Sequence, residues 1–99
     1  MDIARAARYL RARLGLSRRE MAREIGMSHV HLGKIENGES SPTTNAMDKF
    51  YERFSVDLYV LAVVLYGDVE RFPASMRWTV QQCVEGWRAE IDKSIEKAR

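Results

Sequence analysis

A chain of 99 residues with 45% apolar side chains has enough material for one buried core, so it needs neither a metal nor disulfides to hold it together. The single Cys83 excludes an intramolecular disulfide. With no long apolar run and no basic-then-apolar leader, a cytoplasmic protein without membrane attachment is expected.

The net charge of +2 hides a polarised distribution. Residues 1–34 carry eight Lys or Arg against three Asp or Glu, residues 35–70 two against seven, and residues 71–99 six against four. A basic end of this kind attracts a polyanion, nucleic acid foremost. A solvated helix face with counter-charges gives the same count.

Apolar residues recur at spacings of three and four and never alternate, which predicts an all-α chain. Ile3, Ala6, Ala7, Leu10 and Leu14 form one stripe of a first helix, with Arg5, Arg8, Arg11 and Arg13 opposite and Gly15 closing it. In "SRREMAREIG" the pair Ser17 and Glu20 is a capping box, which starts a second helix at about Arg18 and lets Gly26 end it after Ile25. Ser28 caps a third helix to about Glu36, and "NGESSP" breaks the chain. A fourth helix starts at Thr43 or Thr44 and buries Ala46, Met47, Phe50 and Phe54.

Asp57 caps a fifth helix, "LYVLAVVLY", running to Gly67. Its apolar character nearly all round places it either in the middle of the core or against another surface; a strand is the competing assignment. The last segment carries Met76, Val80, Cys83, Val84, Trp87, Ile91 and Ile95 on a stripe roughly 100° wide, an amphipathic helix of about 22 residues and about 33 Å. Cys83 reads there as a small core hydrophobe, and Trp78 falls on the opposite side, exposed or awaiting a second partner. The predicted division is a unit at 1–67 and a helical extension at 68–99 that dimerises or caps the core.

Helices two and three have the offsets of a helix-turn-helix. Ala22 is small where the third helix crosses the second, Gly26 permits the sharp turn, and Met21, Ile25, Leu32 and Ile35 lock the angle between them.

On these residues the run "LRARLGLSRREMAREIGMSHVHLGKIENGESSPTTNAMDKFYERFSVDLYVL" resembles the Xre family of helix-turn-helix domains, which includes the lambda repressor and Cro. The resemblance covers about residues 3–66 and is densest in "LGLSRREMA", "GMS" and "KIENGESSP". It implies a five-helix fold, here with an added C-terminal helix, dimeric binding to operator DNA, and control of transcription as repressor or activator.

In that setting the third helix enters the major groove. With Leu32 and Ile35 facing inward, Ser28, His29, Val30, Gly33 and Lys34 are expected to face the bases, with His31 at the margin. His29 and Lys34 suit guanine edges and Val30 a thymine methyl. Gly33 is costly inside a helix, which suggests a close neighbour there as readily as a tolerated surface glycine.

By resemblance, Arg18 stands where the family usually has a phosphate-reaching glutamine. The backbone around Asn37 and Gly38, with Ser41, Thr43 and Thr44, forms the other phosphate clamp, and Arg8 and Arg11 add to it. Glu39 departs from this pattern, because many members carry a base there.

Other chemistry is poorly served. His29 and His31 are two residues apart and point about 200° from each other on a helix, which is unsuited to a shared metal. No nucleophile-base set, glycine-rich phosphate loop or paired carboxylates stand out, so neither enzymatic activity nor a metal or other cofactor is expected. Two readings remain. One is a homodimeric regulator that reads a palindromic operator in double-stranded DNA. The other is a protein-interaction module, such as an antitoxin, that grips a partner protein with the C-terminal stripe.

Overall fold

The computed structural model describes residues 2–99, and every regular element among them is helical. Local capping chemistry sets most boundaries. The helix α1 (Ile3–Leu14) begins at Asp2, whose carboxylate accepts from the Arg5 N–H at 2.9 Å, and ends at Gly15 with φ of 70°. In α2 (Arg18–Ile25) both arms of the capping box are made: the Glu20 N–H donates to the Ser17 hydroxyl at 3.1 Å and the Ser17 N–H to Glu20 at 3.0 Å. Those Ser17 contacts, the backbone N–H foremost, hold the Glu20 carboxyl below the usual carboxylate range. The carboxylate arm of the box is therefore fully in place throughout that range and is lost only as pH falls below it, through the lowered Glu20 pKa.

The helices α3 (His29–Glu36), α4 (Thr44–Phe54) and α5 (Leu58–Tyr66) start in the same way. Ser28, Thr43 and Asp57 accept from the N–H three residues on, at 3.0, 3.1 and 3.0 Å. The α5 segment is a helix, not a strand. Two short 3₁₀ turns, Val69–Arg71 and Ala74–Met76, lead into α6 (Arg77–Ala98), whose 22 residues match the length read from its stripe.

A single core joins all six helices. Leu10, Met21, Leu32, Ile35, Phe50, Leu58, Leu61 and Ile95 are its largest fully buried apolar chains together with Val56. Helix α1 packs on α3 and α5, α2 on α3 and α4, and α6 on α5, α1 and α4. Polar ties reinforce this arrangement. Arg53 meets Glu24 at 2.8 Å between α4 and α2, and Lys49 Nζ donates to the Gly26 carbonyl at 3.0 Å, across the turn between α2 and α3. Arg13 joins α1 to Asp92 of α6 at 3.2 Å and donates to the Tyr9 hydroxyl at 2.6 Å. The Tyr9 bond, then the Asp92 bond, raises the Arg13 pKa above its ordinary value.

The expected stripe of α6 is only half covered. Ile91 and Ile95 are buried and Val80 and Val84 half-buried, but Met76 and Trp87 are exposed, and Cys83 is exposed rather than a core residue. Only one end of α6 contributes buried residues to the core. Its C-terminal half sits on the core, whereas its N-terminal half faces Tyr59, Val60 and Val63 across an open groove of about 350 Å³. Phe72, Val80, Cys83 and Trp87 line the other side. Trp78, away from this groove, is 74% exposed.

Candidate nucleic-acid interface

Helix α3 has two faces of opposite character. Leu32, Ile35 and Glu36 are fully buried. Ser28, His29, Val30 and Lys34 are exposed, and His31 is half-buried at the margin. Val30 is 59% exposed, high for a branched apolar residue and suited to a methyl contact. Among the described residues Lys34 enters no ion pair, so its ammonium is available to an outside acceptor. The Ser28 hydroxyl already accepts from the His31 N–H, so toward a base it can act only through its own hydrogen or its second lone pair.

Gly33 differs from the expectation. It is buried instead of facing outward, because the Arg18 side chain of α2 lies over it. A methyl group at Gly33 would stand 3.3 Å from Arg18 Nη1, 3.6 Å from Cδ and 3.7 Å from Cζ.

Three arginines expected at phosphates converge on Glu36. Arg11 donates through Nε to Oε2 at 2.9 Å and through Nη2 to Oε1 at 3.0 Å. Arg18 Nη2 lies 3.5 Å from Oε1, and Arg8 donates to the Glu36 backbone carbonyl. A carboxylate with no exposed surface needs such partners: Arg11 and Arg18 are half-buried against it, whereas Arg8 is exposed and meets only the backbone carbonyl. Reading the sequence by periodicity alone overlooks Glu36. The signal was present, since Leu32, Ile35 and Glu36 sit at i, i+3 and i+4 and so share the inward face.

The second expected clamp also changes. The Asn37 N–H donates to the Gly33 carbonyl at 2.9 Å and the Gly38 N–H to Ile35 at 3.2 Å, so this backbone closes α3 and is not free for an anion. Gly38 has a φ of 75°, as the turn requires. The side chains of Asn37, Ser41, Thr43 and Thr44 remain exposed around the N-terminus of α4. Thr43 caps that terminus, leaving the Thr44 and Asn45 N–H groups outside the intrahelical ladder. No group of three or more His, Cys, Asp or Glu suited to a metal occurs among the described residues, and none of the described helices is long and apolar enough to cross a membrane.

A short helix buried on one side, presenting polar groups on the other and set against a second helix through a glycine turn, defines a DNA-binding helix-turn-helix domain. The helix-turn-helix family model matches residues 8–61, more than half of the chain, and the chain belongs to this family in its Xre, lambda-repressor-like form. It is a DNA-binding transcriptional regulator of the Xre type. No curated protein and no solved structure compared with the chain matches it.

Proposed function

We propose that the chain acts as a homodimer that reads a palindromic operator, with the α3 of each copy in successive major grooves about 34–36 Å apart. The observation that carries this reading is the exposed row of His29, Val30 and Lys34 on a helix whose opposite face is fully buried. Such a helix offers side chains to base edges without loosening its own anchorage. His29 and Lys34 address guanine N7 and O6, Val30 a thymine methyl, and Ser28 and His31 the edge of the site. Asn37, Ser41, Thr43 and Thr44 hold phosphates beside it.

Selection of binding sites from random duplex DNA tests the reading, and a palindromic product is expected. Lys34→Ala is expected to cost about 1–3 kcal/mol on the selected site and to relax its sequence preference. Equal weakening on every duplex would remove Lys34 from the readers.

The extension at 68–99 supplies the second copy's contact in this reading, because the groove between α5 and α6 leaves Trp87, Cys83 and Tyr59 uncovered. A buried tryptophan at an interface is commonly worth about 2 kcal/mol or more, so Trp87→Arg in the full chain is expected to raise the dimer dissociation constant by roughly 30-fold. Sedimentation equilibrium measures this, and an unchanged dimer would place the interface elsewhere. The same uncovered groove favours the second reading, a partner protein such as a toxin held by α6. A monomer that becomes dimer-sized only with a second, different chain would select it.

A further inference from the structure

We propose that Arg18 is a positioning residue for DNA reading, one that holds the recognition helix by lying across it at Gly33, and not a ligand of the phosphate backbone. This rests on the reading of α3 as the groove-entering helix and assigns a part to two residues beside it.

The Arg18 side chain spans Gly33 with Cδ, Cζ and Nη1 all at contact distance from the space a methyl group would fill. Its far end reaches Glu36 Oε1 at 3.5 Å, one turn further along α3. Its Nε is buried and has no hydrogen-bond partner among the described residues, so this edge of the guanidinium lies against the helix while the rest of the side chain stays partly exposed. Gly33 has helical backbone angles, so conformational freedom is not what the glycine supplies. It supplies room. A glycine in mid-helix is otherwise unfavourable, and an arginine as the first residue of α2 meets the wrong end of that helix's dipole. Each unfavourable choice is explained by the other: the notch admits the guanidinium, and its far end shares the Glu36 carboxylate with Arg11.

The readers flank this contact. Lys34 follows Gly33 directly, and His29 and Val30 lie four and three residues before it. A change in how α2 sits on α3 therefore moves the reading groups together. For Arg18 to bind a phosphate through the end that faces Glu36, it would have to leave that carboxylate and reopen the notch.

The experiment uses the full chain, a duplex selected by this protein from random DNA, and a scrambled duplex of equal length, with affinities measured over a range of salt. For Arg18→Ala the preference for the selected over the scrambled duplex is expected to fall about tenfold, a size comparable to one good base contact, while the salt dependence stays parallel to that of the parent protein. A phosphate ligand would behave differently: both duplexes would weaken alike and the log–log salt slope would become shallower by about 0.9, which overturns the proposal. An unchanged preference also overturns it. Gly33→Ala supplies the readout that a merely structural role would not move. Alanine favours the helix, so thermal stability is expected to hold, yet its methyl group displaces Arg18 and the preference is expected to fall. In an Arg18→Ala background the same change is expected to have no further effect, and a full additive loss there would reject the notch. A parent protein that prefers no duplex would instead sink the DNA reading itself, a result distinct from any of these.

Discussion

Glu36→Ala is expected to lower the unfolding free energy by about 2–4 kcal/mol, and with it the melting temperature by roughly 10–25 °C for a domain of this size. The carboxylate is completely buried and accepts a two-pronged donation from Arg11, with Arg18 as a third contact. Alanine removes the anion and leaves both cations. Removal of one partner from a buried pair commonly costs about 3–5 kcal/mol, because the remaining charge has lost its water and gained nothing. Here the Arg11 and Arg18 side chains keep 24% and 40% of their surface exposed, so solvent recovers part of the loss and the expectation sits lower. The double variant Glu36→Leu with Arg11→Met removes both charges of the closest pair and is expected to cost less than Glu36→Ala alone. Urea titration with an unchanged m-value measures both. A loss below about 1 kcal/mol for Glu36→Ala would mean that the arginines hold α1, α2 and α3 together without it.

Why this cluster escaped a reading of the sequence, whereas the helices did not, follows from the range over which each is determined. The starts of α2, α3, α4 and α5 are set within three residues, by Ser17, Ser28, Thr43 and Asp57 accepting from nearby N–H groups, and Gly15 and Gly26 stop the first two helices just as locally. Such elements are legible from residue order alone. Arg11 and Glu36 are 25 residues apart, and Arg18 meets both Gly33 and Glu36 only once α2 and α3 have crossed. Exposed arginines on an amphipathic helix look like anion ligands until a buried carboxylate claims them. The α6 stripe has the mirror-image problem. Its spacing correctly gave a helix with one apolar face, but periodicity does not state how much of that face a neighbour covers. Ile91 and Ile95 reach the core, whereas Cys83 and Trp87 overhang the groove. The exposed face of α3 was legible because Leu32 and Ile35 fix its orientation, which leaves His29, Val30 and Lys34 outside without any tertiary information.

That dependence on Leu32 makes Leu32→Ala the second large effect. Leu32 is fully buried on the side of α3 opposite the readers, and α3 has only eight residues. A helix of that length has almost no stability of its own, so its anchoring side chains do most of the work of holding it. Truncation of a fully buried leucine removes the transfer free energy of its methyl groups and leaves a cavity, and a loss of about 2–5 kcal/mol is expected, visible as a lower urea midpoint. The functional consequence is indirect and separable from that of Lys34→Ala. Lys34 is exposed, so its truncation is expected to shift the melting temperature little while weakening the selected duplex. Leu32→Ala keeps every reader but unfolds the platform that presents them. Excess DNA distinguishes the two, since a ligand that binds only the folded state adds about 2.7 kcal/mol at one hundred times its dissociation constant. At one fixed duplex concentration the Leu32→Ala protein is expected to regain most of the parent's DNA-dependent rise in melting temperature, and the Lys34→Ala protein only a fraction of it. The reverse pattern would mean that the inward face of α3, and not its outer row, carries the selectivity.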